Sequence, residues 1–183
     1  MNVTKILNDL INSASCAKSH FEVYWTLVSD ISRPRYINTM NEHNDFFRTT
    51  INAHYTAFFV YFAHLYDPRR DSSSIPNYLK AIDAQSDPLV FSALQKDYER
   101  LTNRAKPLLI GRHKSVAHID ITLTEKEVFQ DLPISWNEIR SVVYDSALYV
   151  AKLAGTSDLG SIGICRDNRL SDSTAHLLAT LSK

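Results

Sequence analysis

The chain has 183 residues, 44% of them hydrophobic and 22% charged, with only 4 Gly and 6 Pro. That is enough for one compact domain with its own core, and no linker or low-complexity tract argues for a second. Lys plus Arg and Asp plus Glu both total 20, so bulk electrostatics gives no support for nonspecific coating of nucleic acid, and any anion site must be local.

The first ten residues are broken by polar side chains before a signal-peptide apolar stretch can form. The longest apolar run, residues 57–63, is far below the ~20 residues that span a bilayer. Cys16 and Cys165 show no paired spacing, which gives neither a disulfide framework nor a zinc knuckle and fits a reducing cytosol. These features predict a cytoplasmic protein without membrane contact.

From Leu7 the apolar positions Leu7, Leu10, Ala14, Ala17, Phe21, Tyr24 and Val28 alternate spacings of three and four, predicting one long amphipathic helix that stops near residues 32–34. A second stripe, Phe47, Ile51, His54, Phe58, Phe62 and Leu65, predicts a helix ending before Pro68. Residues 69–76 read as a turn-rich loop, followed by a short helix over 78–84. A third long helix carries Phe91, Leu94, Tyr98, Leu101, Ala105 and Leu108, with a kink expected at Pro107 and a weak spot at Gly111. The next position on its stripe is Arg112.

Thr124 to Glu127 and Ser135 to Glu138 both have the form of a capping box, in which hydroxyl and carboxylate satisfy free backbone donors at a helix start. The second opens a fourth long helix from Trp136 to about Ala154. Gly155, Gly160 and Gly163 mark a loop, and Ser171 is the expected cap of a short C-terminal helix through Leu181. The expectation is an all-α single domain over residues 1–183, a bundle of four long helices with short accessory ones.

There is no Gly-rich phosphate loop, no Gly-x-Ser-x-Gly and no His-Glu-x-x-His, which removes several large enzyme classes. Cys16 and His20 sit one helical turn apart, but two ligands alone read as a buried thiol beside a partly exposed His rather than a metal site. His54 and His64 read as packed, hydrogen-bonded histidines, and Arg69 and Arg70 as solvated loop charges. No metal and no cofactor is expected.

The remaining candidate is an Arg followed closely by a His. Chance alone gives about 1.3 such pairs in a chain of this composition, and three occur: Arg48 to His54, Arg112 to His118 and Arg169 to His176. Context separates them. Arg112 is followed at once by His113, a polar side chain that can hydrogen-bond, and only this pair lies just past a Pro/Gly interruption of a long helix. An Arg that takes over an apolar stripe is also costly to bury unless it faces an anion, a carboxylate or a water-filled cleft; the alternative is a stripe that simply reaches solvent.

The segment Arg112-His-Lys-Ser-Val-Ala-His118-Ile-Asp120 resembles the signature of HEPN domains, in which Arg, a polar Asn, Asp or His, several variable residues and a His occur in that order. It is most similar to the branch related to the abortive-infection protein AbiU2, where Lys follows the polar residue and Ala-His-x-Asp is typical. Residues 63–67, running into a Ser-rich loop, resemble that branch too. The resemblance covers about residues 4–154, leaving a loop and short helix at 155–183. It implies a helical bundle that forms a homodimer with two Arg-His motifs facing across a cleft and, in many members, metal-independent RNA cleavage. Where some toxin members carry a modifiable Tyr two residues after the His, this chain has Asp120, so neutralisation by modification at that site is not implied.

With RNA as substrate, the chemistry assigns His118 proton transfer, since an ordinary imidazole titrates near pH 6.5, and Arg112 the clamping of phosphate charge. His113 and Lys114 either touch substrate phosphate or only orient the motif. Asp120 either accepts a hydrogen bond from His118 or caps the following turn. The alternative function is a non-catalytic bundle that binds RNA or a protein, with an antitoxin or another defence-system component as partner.

Overall fold

The computed structural model describes residues 2–112, 134–164 and 168–183, and every regular element among them is a helix. In chain order these are α1 (Val3–Val28), α2 (Arg33–Glu42), α3 (Asn44–Leu65), α4 (Ile75–Ile82), α5 (Pro88–Arg112), α6 (Trp136–Leu153) and α7 (Arg169–Leu181). Short 3₁₀ turns occupy Asp83–Gln85 and Gly160–Ile162. The capping box expected at Thr124 to Glu127 lies outside the described residues, as does Cys165.

α1 starts where the Asn2 side chain accepts the Lys5 N–H at 3.1 Å, and ends where Ser29 turns extended and returns its N–H to the Trp25 carbonyl. Its buried face runs through Ile6, Leu10, Ala14, Ala17, Phe21, Tyr24 and Leu27. Leu7 and Val28, expected on that face, are only partly buried. A strict seven-residue repeat drifts by ~20° per heptad on a straight helix, so over 26 residues its end positions rotate off the face.

Three prolines lie at helix starts, Pro88 as the first residue of α5. Pro34, expected to close the first helix, sits in the first turn of α2, where its missing N–H has no intrahelical partner to lose. α2 buries only Thr39 and Met40, too few apolar positions to announce itself as a stripe. Pro76 likewise lies in the first turn of α4, which begins at Ile75 rather than Tyr78. Ser171 lies inside α7, whose N-cap is Asn168.

Side-chain contacts fix the directions of the long helices. Tyr24 packs 5.4 Å from Tyr55 and Phe21 packs 5.3 Å from Phe58, so α1 and α3 run antiparallel. Trp25 packs 5.4 Å from Trp136, while Glu22, earlier in α1, accepts a hydrogen bond from Tyr144, later in α6. α1 and α6 are therefore antiparallel as well. On α5 and α6, Asp97 pairs with Lys152 at 2.7 Å and Arg104 with Asp145 at 2.5 Å, again in opposite order.

The C-terminal ends of α1 and α5 consequently meet the N-terminal ends of α3 and α6 at one end of the molecule. The opposite end holds the start of α1, the end of α3 and α4. Between them lies one core in which Leu10, Phe21, Phe58, Phe62, Leu108, Ile139 and Val150 are all at most 1% exposed. Each such side chain contributes roughly 1.5–3 kcal/mol on leaving water. A second, smaller cluster of Leu27, Met40, Phe47 and Leu178 joins α2 and α7 to the ends of α1 and α3.

Candidate functional site

Leu94, Leu101, Ala105 and Leu108 form the buried stripe of α5, and Arg112 is the last residue of that helix. Pro107 lies within α5 and removes one intrahelical donor a turn and a half before Arg112. His113, Lys114, His118 and Asp120 lie outside the described residues.

The level of Arg112 in the bundle follows from the α5–α6 cross-links. Arg104 donates to Ser141 Oγ at 2.8 Å. It also pairs with Asp145, so it lies between the two; from there Arg112 is roughly 12 Å further along α5, and Trp136 roughly 7.5–13.5 Å further in the same direction along α6. The end of α5 thus comes level with the first turn of α6.

That turn is held by a complete capping box. The Ser135 N–H donates to Glu138 Oε2 at 2.7 Å, and the Glu138 N–H returns to Ser135 Oγ at 3.3 Å. The backbone and hydroxyl donors of Ser135 hold the Glu138 carboxyl below the usual carboxylate range.

At the same end, a cavity of about 720 Å³ opens between the C-terminal part of α1, α2, the start of α3 and Trp136. Its apolar lining includes Trp25, Trp136, Val28 and Ile51, and the exposed Arg33 and Arg48 line it as well. Trp25 and Trp136 are both partly buried, with ring centres 5.4 Å apart and planes inclined at 40°. The chain has 2 Trp, so both of its indoles are here.

The segment at residues 63–67 lies at the opposite end. Asp67 accepts from Arg69 Nε at 2.9 Å, which holds its carboxyl below the ordinary range. Asn77 donates to the carbonyls of Arg69, at 2.5 Å, and Ser72, at 2.9 Å. Ser73 donates to Asp9 Oδ2 at 2.6 Å, tying the loop to the start of α1. From Asp9 to Trp25 along α1 is roughly 24 Å. Within one chain this segment therefore braces the far end of the bundle, and Arg69 is a loop staple, not a free anion ligand.

Of the other histidines, His20 and His54 meet with their Nδ1 atoms 2.9 Å apart, one donating and the other accepting. Burial pushes both below the ordinary imidazole range, and for His54 the neighbouring His20 adds to this. The Cys16 thiol turns to Asn12 Oδ1 at 3.8 Å, away from any pairing with His20. Among the described residues no three His, Cys, Asp or Glu side chains cluster as a metal site. Arg48 pairs only loosely with Asp45, at 3.9 Å, while Arg169 and His176 are exposed on α7.

One polar cluster has no counterpart in the sequence expectations. Lys18 and Glu22 form a buried ion pair on α1, and Glu22 also accepts from the Tyr144 hydroxyl at 2.9 Å and the Leu170 N–H at 3.2 Å. The Lys18 ammonium lies 4.5 Å from the centre of the Tyr144 ring. The available signal was position: Lys18 and Glu22 each follow a stripe residue directly, and α1 is covered by α3, α6 and α7, so its buried arc is wider than one stripe.

Compared with family models, residues 2–156 match that of the HEPN AbiU2 family, described as AbiU2. No curated protein and no solved structure matches the chain. No helix of the described residues is long and apolar enough to cross a membrane.

Proposed function

The chain belongs to the HEPN AbiU2 family, and we propose from that premise that it is a metal-independent endoribonuclease of a defence or toxin-antitoxin type system. The observation that carries this is the family match itself, because it spans residues 2–156 and so includes the whole of Arg112 to Asp120. The position of Arg112 at the end of α5, level with an arginine-lined aromatic cavity, agrees with a nucleic-acid site at that end.

In the proposed reaction His118 takes the 2′-hydroxyl proton as the 2′-oxygen attacks the adjacent phosphorus. The phosphorus–5′-oxygen bond breaks, and a second imidazole returns a proton to the leaving 5′-oxygen. One chain end carries a 2′,3′-cyclic phosphate and the other a 5′-hydroxyl. Arg112 binds the phosphate and stabilises the added negative charge of the transition state. A single imidazole cannot be base and acid in one protonation state, so we assign the second to another copy of the chain across a two-fold axis. His113 and Lys114 contribute to phosphate binding, and Asp120 orients His118. The unit is one bundle of four long helices with accessory helices over residues 1–183, and its partners are RNA, a second copy and an antitoxin or defence component.

The test is incubation of purified wild type and His118→Ala with a mixed RNA pool, followed by analysis of the ends. General acid–base catalysis is worth ~10² to 10⁴ in rate, so His118→Ala should lose nearly all cleavage while keeping its helical circular dichroism. Equal cutting by both proteins refutes the assignment. RNA binding without any turnover by the wild type favours the non-catalytic bundle.

A further inference from the structure

We propose that the cavity between α1, α2, α3 and Trp136 is a nucleotide-binding subsite, which takes one splayed base of single-stranded RNA against Trp25 and holds flanking phosphates with Arg33 and Arg48. This rests on the RNA reading above and extends it to residues that the Arg-His motif does not contain.

Size is the first argument. Small-molecule sites typically occupy about 300–1,000 Å³, and at about 720 Å³ the cavity has room for a nucleotide. The second is composition. Single-stranded RNA is recognised by aromatic platforms for unstacked bases and cations along the backbone, with amides and carboxylates on base edges. Trp25 supplies a partly buried indole in the wall, backed by Phe21 at 6.4 Å and inclined to Trp136 at 5.4 Å, so a base meets the part of the indole that these leave to the cavity; Asn41, Asn44 and Asn52 are exposed amides in the same lining. Asp30 also lines the cavity. Its carboxylate opposes phosphate directly beside it but accepts hydrogen bonds from exocyclic amines and ring N–H groups of bases.

The third is charge. Arg33 lies at the start of α2 and Arg48 on α3, so two different helices bring guanidinium groups to one cavity. Arg48 has a 3.9 Å contact with an Asp45 whose side chain is 94% exposed, a pairing too weak and solvated to hold it from a phosphate. In a chain whose Lys plus Arg and Asp plus Glu both total 20, two guanidinium groups in one lining supply a local positive charge that anion binding requires. The fourth is place. Trp136 belongs to the first turn of α6, so the cavity lies at the same end of the bundle as the end of α5.

Both indoles of the chain line the cavity, so intrinsic tryptophan fluorescence reports occupancy directly. The experiment titrates His118→Ala, and His118→Ala carrying Arg33→Ala and Arg48→Ala, with a 12-nucleotide single-stranded RNA of mixed sequence. The same RNA as a duplex is a second arm. Single-stranded RNA should quench the fluorescence saturably, and the duplex should not, because its bases stay stacked. Removing Arg33 and Arg48 should weaken the titration about tenfold and lower its salt slope by about 1.4, at ~0.7 per phosphate contact on a single strand.

Binding of undiminished strength by the arginine variant, or binding without quenching, overturns the subsite. Equal quenching by duplex overturns it too. Cleavage assays on the same substitutions in the wild-type background separate this from the nuclease assignment. Normal cutting without Arg33 and Arg48 removes the subsite and leaves the nuclease standing, whereas arginine-dependent quenching in a protein that never cuts RNA does the reverse.

Discussion

Glu22→Ala should be among the most destabilising single substitutions in the described part of the chain, and the size of the loss follows from what surrounds the carboxylate. Glu22 is 2% exposed and its counter-charge Lys18 is fully buried. The carboxylate accepts from Lys18, from the Tyr144 hydroxyl and from the Leu170 N–H, so one group joins α1 to α6 and to the start of α7. Removing one partner of a buried pair typically costs ~3–5 kcal/mol, because the remaining charge keeps its desolvation penalty without the attraction that offset it.

With a urea m-value of about 2 kcal/mol/M, that loss lowers the unfolding midpoint by roughly 1.5–2.5 M, readable by circular dichroism at 222 nm. The paired substitution Lys18→Met with Glu22→Gln removes both charges and keeps an amide oxygen for Tyr144, which donates to Oε1, at the cost of the Leu170 N–H, which donates to Oε2. It should therefore recover at least half of the loss. A midpoint shift below about 0.3 M for Glu22→Ala, or a double variant no more stable than the single one, refutes this account.

Replacing the 2′-hydroxyl at the cut site by hydrogen should make an RNA substrate inert, since the proposed nucleophile is gone; continued cleavage of the deoxy substrate points to hydrolysis by water instead. Acid should weaken the fold through His20 and His54. Both are held below the ordinary 6.5, so the pair adds no pH dependence above that value. As pH falls through it the unfolded chain takes up protons first and stability declines, until the folded-state values are passed. His54→Gln should flatten the fall in Tm between pH 7.5 and 5.5, and an unchanged slope rejects the pair as its source. Ser135→Ala should cost about 1 kcal/mol by opening the capping box, a fall of roughly 2–4 °C in Tm, and a shift below 1 °C argues against the cap.

The all-helical character was legible because apolar periodicity carries it: Phe21, Tyr24, Phe58, Phe62, Leu101 and Leu108 all lie in the core where their stripes put them. The start of α6 was legible for a different reason. A capping box is a local pair of hydrogen bonds, and Ser135 and Glu138 form it as their spacing requires. α2 was not legible, because it buries little and begins with a proline that normally reads as a stop. The His20–His54 contact and the Lys18–Glu22–Tyr144 cluster were not legible either, because each depends on which helices become neighbours. A Lys and Glu four apart on a helix read as a solvated pair until two more helices cover them. At the candidate site, the stripe of α5 was legible as far as Leu108, whereas the cavity is assembled from four separated segments and has no signature in any one of them.

The antiparallel order of α1, α3, α5 and α6 gives the two family-like segments different work. Residues 63–67 and their loop fasten α3 to Asp9 at one end of the bundle, through Arg69, Ser73 and Asn77. Arg112 closes α5 at the other end, where the cavity of about 720 Å³ is lined by Arg33 and Arg48. The proposed cleft shared by two copies would need a sealed core behind its arginines, and Leu108 and Ala105, both 0% exposed, precede Arg112 on α5 by one and two turns. In the proposed dimer two copies act on one RNA, and each offers its own cavity beside the shared chemistry. Cooperative loss of RNA affinity on dilution below the dimer's dissociation constant follows from that arrangement, and concentration-independent affinity would count against it.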